Sequence, residues 1–222
     1  MNLIQFNREY LIGLLYSVPA LLLAISAHEC AHAYVSYKLG DPTSKNLGRI
    51  SLNPFRHLDI FGTICLILLR FGWAKPVQVN PNNFKNPKVG MLFTSLAGPA
   101  MNLILAVLFS FVYAVMFKIA YTAGIDHNIY TIIMTIVSYI VLYNVFLCVF
   151  NLIPLPPLDG SKMLATIFPP KLYYYFYKYQ RQLYFLLIIL IFLGVISKVV
   201  NFLGGHLMDF VLKIAFKAVG LL

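Results

Sequence analysis

Four long apolar runs organise the chain, at residues 10–37, 91–117, 128–152 and 183–203. Each reaches the roughly 20 residues that carry an α-helix across about 30 Å of hydrocarbon. A fifth run, 57–71, is apolar but short for a crossing, and predicts a segment that re-enters the bilayer. Between the first and second spans, Gly40, Asp41 and Pro42 mark a turn. The stretches GRISLNP (48–54) and GWAKPVQVNP (72–81) have extended character, the second confined to an edge by Pro76. Together they predict a small β-sheet at the membrane surface. Pro154, Pro156 and Pro157 unwind the chain just before Asp159. In 206–222, Asp209, Lys213 and Lys217 recur every four residues, with Phe210, Val211 and Ile214 on other faces, which predicts an amphipathic helix lying on the bilayer. The expected fold is an all-α polytopic membrane protein with four full spans, a re-entrant segment, a small surface sheet and a C-terminal amphipathic helix. No linker or repeat divides it, so one domain is expected over 1–222, with a core at about 10–165 and C-terminal helices at 183–222.

Composition agrees: 60% of residues are hydrophobic and 11% charged, against about 25% charged in soluble domains. The lipid bilayer is therefore the first partner. A formal charge of +10 suggests nucleic acid in a soluble protein, but here the basic residues cluster in three connecting segments. Lys38, Lys45, Arg49 and Arg56 lie in 38–56; Arg70, Lys75, Lys85 and Lys88 in 70–90; Lys162, Lys171, Lys178 and Arg181 in 153–182. The positive-inside rule places all three in the cytoplasm, so 57–71 starts and ends on one side. No nucleic-acid partner is expected. Cys30, Cys65 and Cys148 lie in apolar runs without C-x-x-C spacing, which reads as packing and not as a disulfide or thiolate metal site. The first run is read as a retained anchor, since cleavage after Ala27 would cut it from the polar residues that follow.

Those residues are His28, Glu29 and His32 in HECAH, inside a membrane span. Ionisable groups there are costly and mark function. H-E-x-x-H on a helix puts two imidazoles on one face, where both can bind one Zn²⁺, with the glutamate within reach of a water. The five histidines and the glutamates Glu9 and Glu29 contribute three members to this one motif. A hydrolytic zinc site needs a third protein ligand and an open position. HECAH lies near the cytoplasmic end of the first span, and the third span descends to the same side and delivers Asp159. Asp126 falls on the opposite side; Asp41 and Asp59 share the depth, but each has a ready turn or cap role. Asp159 is the preferred third ligand. A protease taking a downstream glutamate is excluded, because none follows Glu29. A zinc transporter, the rival from another class, would spread its ligands through the membrane depth.

Three motifs, HECAH at 28–32, LAGPAMN at 96–102 and NLIPLPPLDG at 151–160, together resemble the site-2 protease family of intramembrane zinc metalloproteases, in its minimal branch without PDZ or CBS domains. The resemblance covers about 10–165. It implies a hydrolase cleaving transmembrane protein or peptide substrates within or beside the membrane, in a multi-pass protein of the cell inner membrane with its site towards the cytoplasm; an oligomer is allowed. It further implies zinc held by His28, His32 and Asp159, with Glu29 as catalytic base. Asn102 and Asn151 match motif asparagines that contact substrate or steady the site. Apart from the resemblance, the edge stretch 72–81 has two readings, an edge that takes an unwound substrate as an added strand and a plain surface hairpin.

Overall fold

In a computed structural model the chain is described at residues 8–59, 61–62, 74–123 and 127–221. Eight α-helices are described there: α1 (Arg8–Lys38), α2 (Thr43–Asn46), α3 (Pro87–Ala123), α4 (His127–Asn151), α5 (Asp159–Ile167), α6 (Pro170–Lys178), α7 (Gln180–Phe192) and α8 (Val195–Ala218). Four are long and apolar enough to cross a membrane, at Ile12–Lys38, Pro87–Thr122, Ile129–Asn151 and Val195–Ala218. The chain is a multi-pass integral membrane protein. Its outer faces carry large apolar side chains such as Leu15, Ile104, Leu108, Ile133 and Phe202, as lipid contact requires.

Helices α1, α3 and α4 pack against one another. Lipid is as apolar as leucine, so spans associate by close packing and interhelical hydrogen bonds. Helix α1 supplies small residues for this purpose: Ala20, Ala24, Ala27 and Ala31, spaced three or four apart, are buried with Ser17, Ser26 and Ser36. Pro19 lies inside α1, whose helix continues through it. On the other side of α3 and α4, Ala106, Val141 and Val145 form a core with Val211 of α8, flanked by Phe109, Phe146, Leu207 and Met208. A second cluster joins Leu158 to Leu187 of α7 and to Ile196 and Val200 of α8.

Two expectations for the C-terminal helices change. The apolar run 183–203 is not one span: α7 stops at Phe192, and Gly194 takes a left-handed conformation with φ of 72° before α8 starts. A hydropathy window sees continuous apolar sequence there, whereas a positive φ breaks the helical ladder. The separate surface helix at 206–222 is likewise replaced by the second half of the 24-residue α8. Its apolar side, with Val211 and Ala215 buried, packs on α3 and α4, while Asp209, Lys213 and Lys217 stay exposed.

The small sheet is also absent among the described residues, where Leu58 and Ala74 form one isolated antiparallel bridge. Side chains take the place of strand partners. The Arg49 guanidinium donates to the carbonyls of Arg56 and Lys75, Ser44 Oγ donates to the Gln78 carbonyl, and the Asn80 N–H donates to Asp41 Oδ2 at 2.8 Å. Asn53 caps a 3₁₀ turn at Pro54–Arg56, which ends the extended part of GRISLNP. The expected re-entrant segment 57–71 lies mostly outside the described residues. The start of the segment meets the described residues that follow it, with the Lys75 N–H donating to the His57 carbonyl at 2.8 Å beside the Leu58–Ala74 bridge. The chain thus leaves and returns at one point.

Asp41 closes this outer layer. It is fully buried and accepts from the Thr43 N–H and hydroxyl, the Asn80 N–H and Asn83 Nδ2. Burial raises its pKa, but these hydrogen bonds outweigh burial and hold the carboxyl below its ordinary value. The stabilisation is therefore present above about pH 4 and is lost as pH falls through the lower folded value. Asp41→Asn turns an acceptor into a donor facing the Asn80 N–H. It is expected to weaken the loop by about 1–3 kcal/mol, read as faster hydrogen exchange at Asn80 above pH 4. Unchanged exchange there would show that Asp41 does not hold the segment.

Candidate metal centre

Helix α1 runs unbroken through HECAH, and the four-residue spacing stacks His28 and His32 on one face with ring centroids 4.6 Å apart. Asp159 starts α5, eight residues beyond the end of α4 and past the prolines that stop the helix. All three side chains are buried. His28 Nε2 lies 3.1 Å and His32 Nε2 2.9 Å from Asp159 Oδ2, and the two Nε2 atoms are 3.0 Å apart.

The opposite atom of each side chain is tied elsewhere. His32 Nδ1 lies 2.6 Å from the Thr94 carbonyl of α3, and a carbonyl only accepts, so Nδ1 carries the proton. His28 Nδ1 lies 2.6 Å from Asn102 Oδ1 and donates likewise, since Asn102 Nδ2 is turned to the Ala24 carbonyl. Lys162 Nζ donates to Asp159 Oδ1 at 3.0 Å. In the neutral tautomers these partners select, both Nε2 lone pairs and one carboxylate oxygen converge with no proton between them. A cation satisfies that arrangement. Its edges of 2.9–3.1 Å are close to the roughly 3.3 Å expected between ligand atoms about 2.0 Å from a tetrahedral zinc. His28, His32 and Asp159 form a metal-binding triad, their donor atoms all within 4.8 Å of one another. Ring N–H groups bound to carbonyl or amide oxygen are the usual outer support of zinc-ligating histidines.

Gly98 makes the room. A Cβ there would stand 2.3 Å from His32 Nε2 and 2.6 Å from His28 Nε2, so α3 can pass the imidazoles this closely only with glycine. Glu29 is half-buried on the neighbouring face. Its Oε2 accepts from the Val77 N–H at 3.1 Å, which sets its carboxylate against the extended 75–80 stretch.

The other acids are placed elsewhere. Asp41 is consumed by its loop, Asp59 Oδ1 accepts from the Gly62 N–H, and Asp126 lies outside the described residues. Asn102 is fully buried, and its second amide hydrogen goes to Asn144 Oδ1 at 2.8 Å. Asn151 is half-buried and donates to the Leu147 carbonyl within its own helix. Sequence reasoning did not single out Gly98, Thr94, Lys162 or Asn144. Gly98 stood within a quoted motif. The Thr94 contribution is a backbone carbonyl and has no residue signature.

A family model, Peptidase family M50, matches residues 16–193. The chain is 42% identical over 161 residues to YwhC of Bacillus subtilis, a protein provisionally named a zinc metalloprotease, with 70% of each chain covered. It is 26% identical over 158 residues to Rip2 of Mycolicibacterium smegmatis and 26% over 154 residues to Rip2 of Mycobacterium tuberculosis, both also provisionally named zinc metalloproteases. Those two alignments cover 68% of this chain and 56% of each relative, so the chain spans little more than half their length. No solved structure matches significantly. The match over most of the chain, together with the convergence of two imidazole nitrogens and a carboxylate oxygen, leads to one conclusion: the chain belongs to peptidase family M50 and is a zinc metalloendopeptidase of the site-2 protease type.

Proposed function

We propose that the enzyme cleaves peptide bonds within or beside transmembrane segments of membrane proteins, with Glu29 as catalytic base and the site open to the cytoplasm. The observation that carries this reading is a metal triad at one end of a helical bundle, with a half-buried carboxylate beside it and an extended backbone segment across that carboxylate. His28, His32 and Asp159 would hold zinc, which when bound supplies a Lewis acid that polarises a carbonyl and acidifies water. Glu29 takes the proton of the attacking water and returns it to the amide nitrogen that leaves. The Val77 N–H holds the carboxylate in place for both transfers. Asn102, with its polar atoms already used, steadies His28. Asn151 keeps an Oδ1 without a partner among the described residues and is assigned to substrate. Residues 10–165 make up the proteolytic core, braced by α8 through the Val211 contact. A cell inner membrane location with the basic segments inside agrees with their charge.

Substrate helices hide their carbonyls in internal hydrogen bonds, so access requires an unwound stretch. The 75–80 segment offers backbone for it. The Val77 N–H is spent on Glu29, whereas the Val79 N–H has no partner among the described residues.

Glu29→Gln is expected to lower turnover at least about 100-fold in a membrane-substrate cleavage assay, with zinc content unchanged. Asp159→Ala, in contrast, is expected to lower bound zinc itself. Full turnover in the first, or full zinc in the second, overturns the assigned role. Val79→Pro is expected to slow cleavage roughly three- to tenfold, the worth of one main-chain hydrogen bond, while Val79→Ala stays near wild type. Equal rates in folded, zinc-loaded protein would exclude strand addition at this edge. A cysteine introduced at position 85 is expected to react with an impermeant thiol reagent only from the cytoplasmic side.

A further inference from the structure

Two asparagines buried among apolar helices form a chain of hydrogen bonds whose direction is fixed at every link. Asn144 of α4 is fully buried and donates from Nδ2 to the Ile140 carbonyl at 2.8 Å. A backbone carbonyl only accepts, so nitrogen must face it. Asn144 Oδ1 is thereby turned towards α3, where it accepts from Asn102 Nδ2 at 2.8 Å. The same Asn102 nitrogen donates to the Ala24 carbonyl of α1 at 3.1 Å. Its two hydrogens thus meet two acceptors. Asn102 Oδ1 is left to accept from His28 Nδ1 at 2.6 Å, and His28 keeps its lone pair on Nε2, facing Asp159 Oδ2 and His32 Nε2.

We propose that Asn144 is a positioning residue of the metal centre: acting through Asn102, it holds His28 with the proton on Nδ1 and the Nε2 lone pair aimed at the triad. The inference rests on the zinc reading of His28, His32 and Asp159. Without the Asn144 acceptor, one Asn102 hydrogen would be buried and left without its partner, because both asparagines are fully buried and the Ala24 carbonyl takes only the other hydrogen. Rotating the Asn102 amide would not relieve this, since Oδ1 would then oppose the Ala24 carbonyl and nitrogen would face the His28 N–H. The asparagine pair therefore admits one tautomer of His28. His32 takes its tautomer independently from the Thr94 carbonyl, so the effect of Asn144 is confined to one ligand. The hydrogen bonds of Asn144 among the described residues go to Asn102 and the Ile140 carbonyl, and not to the triad or Glu29.

The test is zinc affinity of the purified full chain, measured by competition with a chromophoric chelator, in a double-mutant cycle of Asn144→Leu and Asn102→Ala. Asn144→Leu is expected to weaken zinc binding about tenfold, the lower end of what loss of an outer partner of a ligating histidine causes. It is expected to add little in the Asn102→Ala background, because its action passes through Asn102. Asn144→Ser has a hydroxyl able to donate to the Ile140 carbonyl and accept from Asn102; it is expected to fall between Leu and wild type, and it carries the cycle if the leucine variant does not fold. Wild-type affinity in the folded variants, or an equal loss with and without Asn102, overturns the inference. His28→Ala, measured alongside, separates the two levels. If it too leaves zinc binding intact, the metal assignment itself has failed; if it abolishes binding while Asn144→Leu changes nothing, only the role of Asn144 has.

Discussion

The imidazole N–H groups that this chain carries into the bilayer have to find acceptors in protein, because hydrocarbon offers none. The close approach of α3 to α1 meets that demand at the metal centre. The alanines of α1 keep its surface low, and Gly98 removes the side chain that would collide with the imidazoles. At that separation the Thr94 carbonyl reaches one histidine and the Asn102 amide reaches both the other histidine and the Ala24 carbonyl. A bulkier pair of faces would push the helices apart and leave two imidazole N–H groups unpaired in a low-dielectric interior, a heavier cost than any one packing contact repays.

The same contacts make the site chemically selective. A histidine offers either nitrogen to a metal, and the choice follows from what the other nitrogen binds. Here both Nδ1 atoms face fixed acceptors, so both Nε2 atoms point the same way before any metal arrives. Lys162 does the equivalent for Asp159 by occupying one carboxylate oxygen and leaving the other. Preorganisation of this kind comes from side chains and carbonyls on α1, α3, α4 and α5, which is why the triad depends on helix packing and not on a single motif.

Outside the bundle a different solution holds the chain over the site. The 75–80 segment is extended, yet its backbone groups are met by Asp41, Ser44, Arg49 and Glu29 where a sheet would use a neighbouring strand. One of those side chains is the carboxylate beside the metal triad. The segment across the active site and the group assigned to proton transfer are therefore joined to each other by one hydrogen bond, and the Val79 N–H beside it has no partner among the described residues.

Much of this was legible in residue order. Length and hydropathy placed three of the four helices long enough to cross the bilayer, since span length is a property of consecutive residues, but set the fourth at 183–203 where the structure has Val195–Ala218. The i, i+4 spacing of His28 and His32 determined a shared face, and the prolines before Asp159 determined that helix α4 ends before it. The break at Gly194 was not legible, because an apolar window does not register one left-handed residue. Nor was the missing sheet, since strand-like composition at 48–54 and 72–81 does not say whether a backbone group will meet another strand or the Arg49 guanidinium. Only the tertiary structure decided the outer partners of the triad. The Thr94 carbonyl belongs to a group every residue has, and Asn144 meets Asn102 through the relative register of two helices. That register is set by how side chains interlock across the interface, and the sequence of either helix alone does not contain it.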